Sequence, residues 1–118
     1  MAVVLVLIDA RNVLRSQWPN IPEEELVERA CAWAKRKGVR ALVVFDGQAP
    51  SGENDHCSVV GTGGESADEW LAREAENLRA EGVRFWLVTS DRALREAAGR
   101  GAERTIGGGS FANELRPR

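Results

Sequence analysis

Val3-Val4-Leu5-Val6-Leu7-Ile8-Asp9 is the stretch on which the fold turns. From Val3 to Ile8 every residue is β-branched or leucine, with no polar alternation. A strand with one wet face alternates; an unbroken apolar run fits a strand covered on both faces, as in a parallel sheet. Counted from Ala2 to Ile8, the run is too short to span a membrane. No basic segment precedes it and an aspartate ends it, so it reads as a buried strand and not as a signal peptide. That reading points to the cytoplasm.

The same pattern recurs outward along the chain. Ala41 to Phe45 and Phe85 to Val88 are buried strands, Cys57 to Val60 is a short third one in chain order, and Glu103 to Ile106 a weak last one. A helix is predicted from near Pro22 to Lys37. Glu23, Glu24 and Glu25 suit its positive end, Lys35, Arg36 and Lys37 its negative end, and Gly38 supplies the stop. Leu26, Val27, Ala30, Cys31 and Ala34 form its sheet-facing stripe. Ser66 to Ala80 is a second helix, with Ser66 and Glu69 as a capping box and Leu71, Ala75 and Leu78 as its apolar stripe. A shorter helix runs to Ala98 and breaks at Gly99 and Gly101. The segment after Asp9, which contains Trp18 and Pro19, reads as a non-helical loop, and Gln48 to Asp55 as a polar one. Gly107-Gly108-Gly109 reads as a flexible loop, with Ser110 capping a stub of final helix. Strands alternating with helices predict a three-layer α/β/α sandwich with a mainly parallel central sheet of four to five strands. At 118 residues the expectation is one domain, 1–118.

Composition narrows the functions. With 43% hydrophobic and 29% charged residues the chain is ordinary globular material, and its net charge of −2 provides no global basic field. A nucleic-acid partner would have to be met by a local patch or by bound cations. Cys31 and Cys57 stand alone, which predicts isolated thiols in a reducing compartment, no disulfide framework and no structural zinc. A Walker A loop is absent, and Asp9-Ala10-Arg11 lacks the Asp-x-Asp of a haloacid-dehalogenase-like phosphatase.

The chemistry sits at the strand ends. In an open parallel sheet all strand C-termini share one edge, where ligands bind. Ile8-Asp9, Phe45-Asp46 and Ser90-Asp91 each end or follow a strand, and the third strand leads through a glycine turn into the helix carrying Asp68. Helical geometry places Asp68 at the margin of the sheet-facing side. Glu65, just before the helix, is the reserve ligand, and Glu69 ranks third. Two like charges about 4 Å apart repel by roughly 4 kcal/mol at an effective dielectric of 20. Against a whole-domain stability of about 5–15 kcal/mol, several such pairs call for protonation or a cation. Oxygen ligands favour Mg²⁺ or Mn²⁺, and such a cation suits phosphate chemistry. Arg11, Arg15 and Arg92 would help to offset substrate charge. Each aspartate also has a local explanation: Asp91 as a helix cap, Asp46-Gly47 as a turn, Asp68 as first-turn charge. Asp9, ahead of the expected loop, has none. Asp46, whose turn reading is strongest, is a supporting acid.

Asp9-Ala10-Arg11-Asn12, Val44-Phe45-Asp46-Gly47, Glu65-Ser66-Ala67-Asp68-Glu69 and Thr89-Ser90-Asp91-Arg92, in this order, resemble the motifs of NYN domains, a branch of the PIN-like nuclease superfamily. The YacP-like group is the nearest resemblance, and Gly109-Ser110-Phe111 through Glu114-Leu115 is similar to its closing segment. The resemblance spans essentially the whole chain and implies Mg²⁺- or Mn²⁺-dependent cleavage, mostly of RNA. Asp9, Asp68 and Asp91 would correspond to the metal-binding acids and Asp46 to an additional acidic position. Asn12 would correspond to the asparagine that orients the first aspartate or a phosphate, and Ser90 to a support for metal or substrate. Ala10 and Arg11 depart from the glycine and aromatic frequent in the family. A C-terminus shorter than that group's predicts a vestigial last helix, and a homodimer is one way to cover the fifth strand's edge.

The resulting expectation is a metal-dependent endoribonuclease acting on single-stranded RNA or mRNA, with ribosome association as a further partner and no membrane. A non-catalytic RNA- or ribosome-binding module and a nucleotide phosphohydrolase are the competing readings. Trp18 either stacks an unpaired base or covers a helix end.

Overall fold

The computed structural model describes residues 3–16, 21–52 and 54–116. Its elements are β1 (Leu5–Asp9), α1 (Ala10–Arg15), α2 (Glu23–Lys37), β2 (Arg40–Phe45), β3 (Cys57–Gly61), α3 (Ala67–Glu81), β4 (Phe85–Val88), α4 (Arg92–Ala98), β5 (Arg104–Ile106) and α5 (Gly108–Leu115). The five strands form one sheet in the order β3-β2-β1-β4-β5, and every neighbouring pair is parallel. From β1 the chain builds outward to β2 and β3, then returns to β4 on the other side of β1. The strand order therefore reverses between β1 and β4, which opens a crevice at their C-terminal ends.

Alternation along β1 sorts the layers. Val6 and Ile8 join α1, α2 and α5 in one core, with Val13, Leu26, Val43 and Phe111. Leu7 joins α3 and α4 in the other, with Val44, Leu71, Leu87 and Leu94. Val6, Leu7 and Ile8 are completely buried, as a doubly covered strand requires. Each such burial contributes about 1.5–3 kcal/mol. Trp33 is buried and packs edge-on against Phe111 at 4.9 Å and Trp86 at 6.4 Å between ring centroids.

The helix signals read from sequence operate as expected in α2 and α3. Gly38 ends α2 with φ 68°, and Ser66 Oγ accepts from Glu69 N at 3.1 Å. Among the described residues no helix is long and apolar enough to cross a membrane.

Three expectations fail. The segment after Asp9 is not a loop at first: Ala10–Arg15 is helix, with Ala10 and Val13 buried against the sheet. Trp18, for which two roles were open, lies outside the described residues. The last helix is not a stub capped by Ser110. It starts at Gly108, is capped at Gly107 and buries Phe111, Ala112 and Leu115 over eight residues. Finally, Cys31 and Cys57 are bonded to each other. Cys31 lies on the inward stripe of α2 and Cys57 at the start of β3, and packing α2 on that face brings their Cα atoms to 5.2 Å, within the disulfide range. The pairing removes the cysteine argument for a reducing compartment. It also ties α2 to the start of β3, and ahead of that strand Gly52 lies so close to Val27 that a Cβ would clash at 2.7 Å.

Candidate functional site

Strand ends and helix starts coincide at the crevice. Asp9 closes β1 and caps α1: its Oδ1 accepts from Asn12 N at 3.4 Å. Asp91 caps α4, accepting from Leu94 N at 2.9 Å. Asp46, just past β2, reaches across to α3, where its Oδ1 accepts from Ala67 N at 2.8 Å. Three helix N-termini thus hold three of the four aspartates, each satisfying an amide that would otherwise lack a partner. The expectation that Asp9 has no capping role is overturned by α1 itself.

Asp68 sits in the first turn of α3 and completes the set. Asp9, Asp46, Asp68 and Asp91, with Arg11, Asn12, Arg15 and Ser66, line a pocket of about 170 Å³. At roughly 30 Å³ per water, that is room for about five water-sized groups, enough for an ion that keeps a few waters beside a phosphate oxygen. A nucleoside must lie on the rim outside it. The four carboxylates face only two cations in this lining. Arg11 stands 3.7 Å from Asp46 with most of its side chain exposed.

The imbalance appears in the acids themselves. Burial raises the Asp9 carboxyl above its ordinary 3.8, and the charges of Asp68 and Asp46 push the same way, against hydrogen bonds from Thr89 and Asn12. Asp68 is also raised, first by partial desolvation at the pocket wall, then by Asp91 and Asp46, with Arg11 opposing. Asp68 is exposed by surface area, so its shift reflects a local wall and not deep burial.

A hard cation fits this donor set, which is all oxygen and short of positive charge. Among the described residues, no three His, Cys, Asp or Glu side chains stand close enough to form a closed metal cage. Mg²⁺ commonly keeps several waters and binds through one or two carboxylates plus substrate phosphate, so an open acidic pocket of this width suits it better than it suits zinc.

Around the acids runs a framework of hydrogen bonds. Thr89, fully buried, donates from Oγ1 to Asp9 Oδ2 at 3.1 Å and accepts from Asp91 N at 3.1 Å. Asn12 Oδ1 accepts from Ser90 N at 2.8 Å, and Ser90 Oγ accepts from Gly108 N at 2.7 Å. A Cβ on Gly108 would collide with Asn12 Oδ1. The glycine run read as a flexible loop is thus a close approach of α5 to the site.

Other candidates lie elsewhere. Glu65, the reserve ligand, is outside the lining and makes a two-pronged ion pair with Arg73 at 2.8 and 3.0 Å. Arg92 pairs with Glu96 at 3.8 Å, with its side chain 93% exposed. Ser90 acts through its neighbours and not from the pocket wall. Thr89 and Ser66 were not singled out from sequence as site residues. Thr89 carried one usable signal, a hydroxyl between a buried strand and a capping aspartate.

The model of the YacP-like NYN domain matches residues 6–116. The chain belongs to the YacP-like NYN family. Two crystal structures of Rae1 (YacP) from Bacillus subtilis are similar to it. One, a tryptophan-to-leucine mutant, has a TM-score of 0.74 and 24% identity, covering 96% of this chain and 75% of that one. The other has a TM-score of 0.73 and 23% identity, covering 98% and 74%. At that identity the likeness shows a shared fold. No curated protein sequence matches the chain. Membership of a PIN-like nuclease family supports an RNase-type role in general, and the aspartate pocket lies where a sheet of this order places its ligands.

Proposed function

We propose that this YacP-like NYN domain is a metal-dependent endoribonuclease that hydrolyses RNA phosphodiesters at the pocket between β1 and β4. The observation that carries the reading is the convergence of Asp9, Asp46, Asp68 and Asp91 on one small, charge-deficient pocket at the reversal of strand order. NYN nucleases in general use divalent metals.

In this reading Asp9, Asp68 and Asp91 would share Mg²⁺ or Mn²⁺, one or two of them directly and the rest through its waters, and Asp46 is the supporting acid that fixes the start of α3. Glu65 would serve as a ligand only by leaving Arg73. When bound, the cation supplies Lewis acidity and charge neutralisation at the phosphodiester. Arg11 and Arg15 on α1 receive the flanking phosphates, and Arg92 swings from an exposed, weak pairing to do the same. Asn12 and Ser90 hold the first and last acids in register through the Ser90 N to Asn12 Oδ1 bond. The small pocket admits the scissile phosphate and leaves bases on the rim, which favours single-stranded RNA or mRNA over a free nucleotide. The cytoplasm is the compartment in this reading. Ribosome-held RNA as target and a homodimer belong to it too, and co-sedimentation and sedimentation velocity test them.

The experiment is cleavage of labelled single-stranded RNA with Mn²⁺, with Mg²⁺ and with chelator. Expected is cutting that chelator abolishes and that Asp9→Asn, Asp68→Asn and Asp91→Asn each reduce by at least about a hundredfold, the scale of losing a central electrostatic group. Asparagine caps helices about as well as aspartate, so these variants stay folded. RNA bound without turnover in either metal would return the non-catalytic module. Hydrolysis confined to nucleotides would return the phosphohydrolase.

A further inference from the structure

Away from the aspartate pocket, α2 and α5 enclose an open groove of about 640 Å³. Its rim carries Arg29, Arg36, Lys37 and Arg116, and Glu114 is the one acid in its lining. Four cations against one carboxylate leave three net positive charges on a chain whose total is −2. Glu114 is already engaged, accepting from Trp33 Nε1 at 3.3 Å and lying 3.9 Å from Lys37. Arg29 leans on Glu25 at 3.4 Å. Among the described residues neither Arg36 nor Arg116 has an acidic partner.

Cations near helix C-termini also answer the macrodipole, which accounts for part of this charge. Each of the two helix ends amounts to roughly half a negative charge, so together they offset about one of the three and leave about two. The remaining charge is spread out: Arg29 and Arg36 are seven residues apart on α2, about 10 Å along its axis. An extended line of cations over an apolar floor of Ala32 and Leu115 matches successive phosphates of a strand better than one compact anion. The groove is also registered to the pocket. Gly108 at the start of α5 touches Asn12 and Ser90, while Leu115 at its end lies in the groove, seven residues and about 10 Å further along the helix.

We infer that the α2–α5 groove is a second RNA contact, binding the phosphate backbone of single-stranded RNA outside the cleavage pocket. This rests on the RNA reading above, though not on catalysis. It also answers the charge problem raised by the sequence, since the aspartate pocket is net acidic and has only Arg11 and Arg15 to meet a polyanion.

The test is fluorescence-anisotropy titration of the full chain with a labelled single-stranded RNA, in chelator, across a series of salt concentrations. At about 0.7 of slope per phosphate contact on single strands, Arg36→Ala/Lys37→Ala should make the plot of log K against log salt shallower by about 1.4. Arg116→Ala, on the other wall, should make it shallower by about 0.7. Lys35→Ala removes an exposed charge from the same helix outside the groove and should change little. Thermal unfolding checks that all three variants are folded. Wild-type slopes in both groove variants would overturn the proposal, as would an equal loss in Lys35→Ala. So would unchanged RNA binding together with lost binding of a polyglutamate peptide, which would assign the groove to an acidic protein. Because nothing is cut in chelator, failure of the nuclease reading leaves this result intact, and the converse also holds.

Discussion

Thr89 donates to Asp9 at 3.1 Å across the junction of β1 and β4, although the two residues are 80 positions apart in the chain. The same hydroxyl accepts from Asp91 N, so one buried oxygen fastens the acid that ends β1 to the acid that starts α4. The spacing of the candidate site depends on this group.

Thr89→Val keeps the shape and removes both bonds, leaving Asp9 Oδ2 and Asp91 N without this partner. An unsatisfied buried polar group costs about 1–3 kcal/mol, and a free energy of unfolding in urea lower by that amount is expected. Thr89→Ser should recover most of the loss in stability and in RNA cleavage. A valine variant as stable and as active as the wild type would show that the bond does not hold the acids.

Asp68 has a folded pKa above its ordinary 3.8. Between those two values the folded chain holds a proton that the unfolded chain has released, so stability falls as pH rises through that window and is fully retained below it. Asp68→Asn cannot ionise. In chelator it should therefore melt higher than the wild type at neutral pH, with the gain vanishing below pH 3.8. Mn²⁺ should raise the wild-type melting temperature more than that of the variant, because a ligand that binds only the fold stabilises it. Calorimetry at two pH values with and without Mn²⁺ checks both; a lower melting temperature for the variant in neutral chelator refutes the repulsion argument.

Gly108 and Gly109 are adjacent yet should respond oppositely to alanine. At Gly108 the new methyl meets Asn12 Oδ1 and lies 3.0 Å from Ser16 Oγ, so α5 must shift, at about 1–3 kcal/mol. Ser90 and Asn12 move with it, and cleavage should fall. At Gly109 the nearest neighbour beyond the helix is Ser16 Cβ at 4.0 Å, and alanine there should stabilise α5 by about 0.5–1 kcal/mol. Denaturation curves of the two variants measure the contrast.

Cys31 and Cys57 close a loop with a sequence separation of 26 residues. Chain-entropy arithmetic puts its contribution at about 3.5 kcal/mol. Reductant should lower the denaturation midpoint accordingly, with no effect on Cys31→Ala/Cys57→Ala. Thiol labelling of the denatured, unreduced chain should find no free sulfhydryl; two labelled cysteines would refute the pairing.

Much of this site was legible in advance because the relevant signals are local. Apolar runs marked β1, β2 and β4, Gly38 and Ser66 marked helix boundaries, and an aspartate at a strand end needs no distant partner to be noticed. Asp46 reaching Ala67, Glu65 turning to Arg73 and Thr89 reaching Asp9 were not legible, since each depends on where another segment lies. α1 was missed for a different reason. It has six residues and no acid in its first turn, and the strand-end position of its cap, Asp9, masks the capping signal.

From sequence alone came the layers, the burial of β1 on both faces and the identity of the four aspartates at the strand and helix ends. Only the tertiary structure decided that β4 pairs with β1, that three helix starts meet there, and that Cys31 faces Cys57. Hydrophobic periodicity records which face of an element is buried, a property of neighbouring residues. Parallel strand order is set by non-local pairing, and apolar runs such as Leu5–Ile8 and Phe85–Val88 carry no mark of the partner they will take.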